Sequence, residues 1–150
     1  MFKKILYPID LSHAEFAGQF ASEIERIAAT FDAEIEVMTV MPGFGMAIVA
    51  SYFPPEAEKK ARQEVERQLD AFCSRYFQRP VRQRVEQGTH WKRIIKVAKG
   101  DAVDLVVMPH CDKRWTETVL VGSCAEKVVE RAPCSVLLLR PRDQGSCPAD

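Results

Sequence analysis

The sequence lacks an excess of charge of either sign and lacks a long hydrophobic run. Its 150 residues carry 21 Lys plus Arg and 21 Asp plus Glu, so the formal net charge is zero. Because non-specific affinity for nucleic acids and anionic membranes needs excess positive charge, we expect neither as a partner. No apolar run approaches the ~20 residues of a membrane span, and the first one stops at Asp10, too early for a signal peptide. We therefore expect a soluble, cytoplasmic protein.

Closely spaced cysteine pairs are also missing. The chain has five cysteines, an odd number, and none forms a C-x-x-C pair. This pattern argues against both a secreted disulfide framework and a zinc site, and it favours reduced thiols in a cytosolic protein with no bound metal. We expect Cys134 to be buried beside the last strand and Cys147 to be exposed.

Short apolar runs alternate with helical stripes along the chain. The runs predicted as strands are 4–7, 35–40, 81–85, 104–108 and 135–139. Because a helix connects each strand to the next, the sequence predicts an α/β fold: a five-stranded parallel sheet with helices on both faces, of the Rossmann-like type. We expect one domain over residues 1–141 and a disordered tail over 142–150.

The first strand and first helix have clear boundary signals. Pro8 has no amide hydrogen, so it is expected at the end of the first strand rather than inside a ladder. The segment 12–15 begins with Ser12 and ends with Glu15, which is a capping box at the start of a helix. Apolar residues then recur at helical spacing as far as Phe31, which predicts one helix.

Candidate binding residues lie where such sheets hold ligands, at the carboxyl ends of the strands. Asp10 ends the first strand and could bind a nucleotide or a metal, or simply cap the next helix. Gly122 and Ser123 precede a helix, where free amides and the helix dipole can bind an anion. The alternative is that Ser123 caps its own helix together with Glu126.

Two other groups of polar residues give weaker signals. His110, Cys111 and Asp112 are adjacent, but neighbouring side chains point in different directions and catalysis needs a base placed against a nucleophile in space. The basic residues between positions 79 and 96 alternate with apolar ones, which is typical of a solvated face rather than a nucleic-acid footprint. These residues are Arg79, Arg82, Arg84, Lys92, Arg93 and Lys96.

Several short segments, in their order and spacing, resemble the universal stress protein family from Phe2 to about Arg140. The matching segments are 4–12, Val40, Gly88, 104–108, 122–123, 125–128 and 132–137. The resemblance implies the strand order 3-2-1-4-5 of the adenine nucleotide alpha hydrolase-like group. It also implies homodimers paired through the last strand, Ser135 to Leu139, and roles in stress resistance without established catalysis.

Many members of that family bind ATP through a loop of pattern G-x-x-G, nine further residues, then G-S or G-T. In this chain Pro109 and Asp112 stand at the first two glycine positions, which opposes phosphate binding by geometry and by charge. The resemblance thus implies a vestigial nucleotide pocket. Its expected members are Pro8, Ile9, Asp10, Val40, Met108, Gly122, Ser123, Cys124 and Ala125.

The sequence therefore predicts a non-catalytic, homodimeric stress-response protein without a cofactor, which an unknown protein partner could also bind. The first alternative is a stress-signalling switch that binds ATP with magnesium or another adenine nucleotide. An enzyme of adenylyl transfer is a further alternative, although 150 residues leave no room for a second catalytic domain.

Overall fold

The computed structural model describes residues 1–43, 54–111, 123–143 and 147–148. The strands are β1 (Lys4–Ile9), β2 (Glu34–Met41), β3 (Arg82–Gln87), β4 (Leu105–Pro109) and β5 (Ser135–Leu139). The helices are α1 (Ala14–Gly18), α2 (Ala21–Phe31), α3 (Pro55–Tyr76), α4 (His90–Gly100) and α5 (Ser123–Arg131), with a 3-10 turn at Leu11–His13. Among the helices of the described residues, none combines the length and apolar character needed to cross a membrane.

The five strands form one parallel sheet in the order β3-β2-β1-β4-β5. This confirms the α/β fold class and the expected strand order. The chain therefore builds the sheet outward from β1 to one side, returns, and builds β4 and β5 on the other side. β3 and β5 are the two edges.

Side chains on alternate positions of the strands enter two separate hydrophobic cores. Along β1, Ile5 and Tyr7 pack with α1, α2 and α3 on one face, whereas Leu6 packs with α4 and α5 on the other. The Tyr7 hydroxyl donates a 2.7 Å hydrogen bond to the Ala17 carbonyl, and burial raises the pKa of that hydroxyl far above its usual range. Because a buried polar group needs a partner, this bond ties α1 to the centre of the sheet.

Strand β1 continues through Pro8 to Ile9, so Pro8 lies inside the ladder with β2 and the expectation that it stays out of a ladder is wrong. Pairing with β2 covers the whole strand and aligns Pro8 with Met38. Pairing with β4 covers Ile5 and Leu6 alone. On the side of β4, pairing has stopped before Pro8, so the missing amide hydrogen removes no hydrogen bond from the sheet there. This is why a proline is tolerated in this central strand.

The expected single helix from Ser12 to Phe31 is divided into the 3-10 turn, α1 and α2, and the predicted capping box does not form. The backbone of α1 ends against α3, where a side chain at Gly18 would meet the Tyr76 ring: an added Cβ would lie 2.4 Å from it. Residues 19 and 20 then redirect the chain into α2. Contact with α3 thus overrides the local helical pattern.

Arg84 on β3 does not belong to a solvated basic face. Its guanidinium donates to Glu36 at 2.7 Å and to Glu86 at 3.3 Å, and it also pairs with Asp101. These contacts, chiefly the hydrogen bond that Arg84 donates to Glu36, raise the pKa of Arg84 further above its usual value. The cluster joins β2, β3 and the end of α4.

The indole ring of Trp91 on α4 attracts cations from two helices. The side-chain charges of Lys127 and Arg131 on α5 lie 5.3 Å and 4.9 Å from the ring centre, and Lys92 lies at 5.6 Å. Such contacts favour the packing of α4 against α5.

The cysteines depart from the expectation of five reduced thiols. Cys111 and Cys147 form a disulfide, whereas Cys73, Cys124 and Cys134 are free. Cys134 is half-buried directly before β5, as its expected place beside the last strand requires, but Cys147 is not a freely exposed thiol. Residues 144–146 and 149–150 lie outside the described residues, and disorder of 142–150 stays a prediction.

The close approach at Gly18 predicts a cost for adding one methyl group there. Gly18→Ala should lower the free energy of unfolding by about 1–3 kcal/mol, because the new Cβ must displace the Tyr76 ring in packed surroundings. Urea denaturation followed by circular dichroism measures the change.

Gly100→Ala is the matched control. No described atom lies within 4 Å of a Cβ added at Gly100, and alanine is the better helix former by about 1 kcal/mol. The control should be neutral or stabilising. Equal losses in both variants would contradict the packing account.

Candidate functional site

The candidate site lies at the carboxyl edge of the sheet, between β1 and β4. The chain order reverses there, because β2 lies on one side of β1 and β4 on the other. Parallel sheets form a crevice at such a reversal. Ile9, Val40 and Met108 lie at or one residue before the ends of their strands, so the fold brings these predicted residues to one edge.

Asp10 follows β1 and caps the next turn. One oxygen of its carboxylate accepts a 2.9 Å hydrogen bond from the Ser12 amide and a 2.6 Å bond from the Ser12 hydroxyl. The Asp10 carbonyl accepts a third bond, from the His13 amide at 3.0 Å. Asp10 therefore caps the 3-10 turn that precedes α1, and its side chain is exposed at the carboxyl edge of the sheet.

The side chains at this edge are apolar and packed. Val40, Met108 and Ala125 are buried and belong to one hydrophobic cluster, against which Cys124 also packs. The Thr39 hydroxyl donates a 3.1 Å hydrogen bond to the Ile9 carbonyl and so joins the ends of β2 and β1. These residues support the site rather than offer it polar groups.

The end of β4 is held in the sheet. Pro109 is the last residue of the strand and lies in register with Leu139 of β5. The next residue, His110, is buried, and its amide donates a 2.8 Å hydrogen bond to the Leu139 carbonyl. The backbone at these two positions therefore continues the β4–β5 ladder and does not form a turn.

Helix α5 begins at Ser123, which is exposed, while Cys124 is half-buried. Burial raises the pKa of the Cys124 thiol above its usual value, against an opposing effect of Lys127. This thiol is protonated at neutral pH and is a poor nucleophile. Gly122 and Asp112 lie outside the described residues.

Sequence reasoning missed two features of this edge. The first is the backbone bond from His110 to Leu139, for which the only signal was the apolar character of β5. The second is the pairing of Cys111 with Cys147, which lie 36 positions apart and show no motif. Within the part of the chain that the structure describes, no three His, Cys, Asp or Glu side chains group as a metal site requires.

A comparison with models of protein families identifies the family of the chain. The model of the universal stress protein family matches residues 1–140. The chain belongs to this family. It is 29% identical to one universal stress protein of Methanocaldococcus jannaschii over 144 residues, covering 93% of this chain and 83% of that protein. It is 24% identical to a second from the same organism over 160 residues, covering 95% of this chain and 98% of that one.

Solved structures of the family share the fold. The universal stress protein UspA from Lactobacillus plantarum superposes with a TM-score of 0.65 at 23% identity, covering 93% of this chain and 98% of that one. A universal stress protein solved in complex with cAMP superposes with a TM-score of 0.65 at 15% identity, covering 93% of this chain and 97% of that one. At these identities the likeness concerns the fold.

The capping contacts predict how this universal stress protein responds to changes at Asp10. Asp10→Ala should lower the free energy of unfolding by about 1 kcal/mol, because the Ser12 amide loses its acceptor. Asp10→Asn should change it little, since asparagine caps as well as aspartate does. Thermal and urea unfolding measure both variants. Equal destabilisation by Ala and Asn would show that the charge, and not the cap, is what matters.

Proposed function

We propose that this member of the universal stress protein family is a cytoplasmic, non-catalytic stress-response protein that does not bind ATP tightly. The observation that carries the proposal is the extended backbone at Pro109 and His110. A phosphate-binding loop must turn away from the sheet at this point and aim several amide hydrogens at one anion.

Neither Pro109 nor His110 has a free amide hydrogen to donate to a phosphate. Pro109 has none, and the His110 amide is bonded to Leu139. A glycine at position 109 would remove the first obstacle, because glycine restores the donor and widens the backbone torsions. Asp112 adds a carboxylate of the same sign as a phosphate. Asp10 follows β1, Val40 and Met108 lie near the ends of β2 and β4, and Ser123 begins α5.

The second candidate function is a nucleotide-dependent switch. The relative solved in complex with cAMP supports it, because that protein shares the fold and carries an adenine nucleotide. The apolar character of Val40 and Met108 is compatible with a base. Binding would then depend on groups other than the amides of Pro109 and His110.

The degenerate loop predicts no binding of ATP. Isothermal titration calorimetry with millimolar ATP and magnesium should give no heat of binding for the unmodified protein. Pro109→Gly combined with Asp112→Gly should restore measurable affinity, because both the steric and the electrostatic obstacle are removed. A dissociation constant of ~0.1 mM corresponds to about 5.5 kcal/mol of binding free energy.

Pro80→Gly is the control for a proline-to-glycine change, since Pro80 precedes β3 at the opposite edge of the sheet. It should leave ATP binding absent. Tight binding of ATP by the unmodified protein, or nucleotide retained through purification, would overturn the proposal in favour of the switch. Absence of ATP binding by the double variant would show that the obstacle lies elsewhere in the pocket.

We also propose that the protein is a homodimer paired through β5. The strand contains Ser135 and four aliphatic residues and lies at an edge of the sheet. An apolar edge strand has unpaired backbone groups and invites pairing with another chain. The opposite edge, β3, alternates Arg82, Arg84 and Glu86 with other residues, and such charges oppose pairing. Two copies of β5 related by a two-fold axis form a closed arrangement.

Matched lysine substitutions test the dimer. Ser135 on β5 and Gln83 on β3 are both exposed, so Ser135→Lys and Gln83→Lys add the same charge without disturbing either core. Light scattering should give the unmodified protein a mass near twice 17.0 kDa. Ser135→Lys should weaken dimerisation, because a lysine on an edge strand opposes its pairing with a second strand.

Gln83→Lys should leave the mass unchanged. A monomer of the unmodified protein at micromolar concentration would refute the dimer. Dissociation of the dimer by Gln83→Lys and not by Ser135→Lys would show that the interface is formed by β3.

A further inference from the structure

The disulfide between Cys111 and Cys147 joins two parts of the chain that the sheet does not connect. Cys111 follows His110 at the carboxyl end of β4, and Cys147 lies in the tail after β5. Their Cα atoms are 5.9 Å apart, within the range that a disulfide requires. The bond therefore holds the tail against the edge of the sheet where the candidate site lies.

The fold does not depend on this bond. The β4–β5 ladder pairs five positions and continues in the His110–Leu139 hydrogen bond. Neither cysteine belongs to the two hydrophobic cores. Opening the bond would release the tail and leave sheet and helices in place.

The thiols of the other three cysteines have low reactivity. Burial raises the pKa of the Cys73 thiol to about 12 and also raises the pKa of the Cys124 and Cys134 thiols. Since the thiolate is the reactive form, these thiols exchange slowly at neutral pH. Cys111 and Cys147 are half-buried like Cys124 and Cys134 but, unlike those two, pack against neither core.

We propose that Cys111 and Cys147 are a redox-active pair that glutathione opens and glutathione disulfide closes. A glutathione thiolate attacks one sulfur of the disulfide, forms a mixed disulfide and releases the other cysteine as a thiolate. A second glutathione thiolate then attacks the mixed disulfide, releases the remaining cysteine and leaves as glutathione disulfide. The protein gains two electrons and, at neutral pH, two protons. The oxidised form holds the tail at the end of β4, and the reduced form frees it.

Thiol counting in glutathione buffers tests the proposal. After equilibration, acid quenching and denaturation, alkylation with mass spectrometry should find three thiols in a buffer rich in glutathione disulfide and five in millimolar reduced glutathione. The ratio of reduced to oxidised protein should be proportional to the square of the glutathione concentration divided by the concentration of glutathione disulfide. In the absence of reductant, the unfolding midpoint should lie about 3–10 °C higher than in its presence, because the bond restricts the unfolded chain.

Two variants localise the effect. Cys147→Ser should never lose two thiols, because Cys111 alone can take up at most one glutathione, and it should lose the shift of the unfolding midpoint. Cys134→Ser, the matched control, should still change by two thiols and keep the shift. The proposal is overturned by five thiols in the oxidising buffer, by three that persist in reduced glutathione, by loss of two thiols in Cys147→Ser, or by disulfide-linked dimers in place of the internal bond.

Discussion

The parallel sheet must be covered on both faces, and most of the molecule follows from this requirement. Successive side chains of a strand point to opposite faces, so Leu6 and its neighbours Ile5 and Tyr7 enter different cores. Helices α1, α2 and α3 cover one face and α4 and α5 cover the other. The buried bond from Tyr7 to Ala17 shows how closely one layer is attached, since a single hydroxyl links the central strand to α1.

The same sheet explains the character of the candidate site. The carboxyl edge of a parallel sheet is a binding crevice when the loops after the strands leave it. Here the His110 amide, directly after β4, still bonds to the Leu139 carbonyl, and Pro109 aligns with Leu139. The Asp10 carboxylate accepts hydrogen bonds from Ser12, and Val40 and Met108 are packed apolar side chains. At the described residues of this edge these groups take part in the structure, and the disulfide at Cys111 attaches Cys147 beside it.

Local patterns predicted the elements well where packing agreed with them. The run 135–139 was predicted as a strand and is β5 with the same limits, and the predicted run 104–108 is shifted by one residue in β4. Predictions failed where contacts with a distant part of the chain determine the local structure. The helix after Ser12 is divided because α1 meets the Tyr76 ring, and β1 passes through Pro8 because its pairing with β4 has already ended.

The sequence by itself determined that this is an α/β protein, because hydrophobic periodicity is local and each strand and helix carries its own. Its motifs, in order and spacing, also placed it in its family. The tertiary structure alone decided the pairing of Cys111 with Cys147, the cluster of carboxylates around Arg84 and the use of the His110 amide. Apart from Arg84 and Glu86, which lie two positions apart, these contacts join residues from 17 to 48 positions apart. Such separations leave no periodic signal, because they arise only when the sheet brings the ends of different elements together.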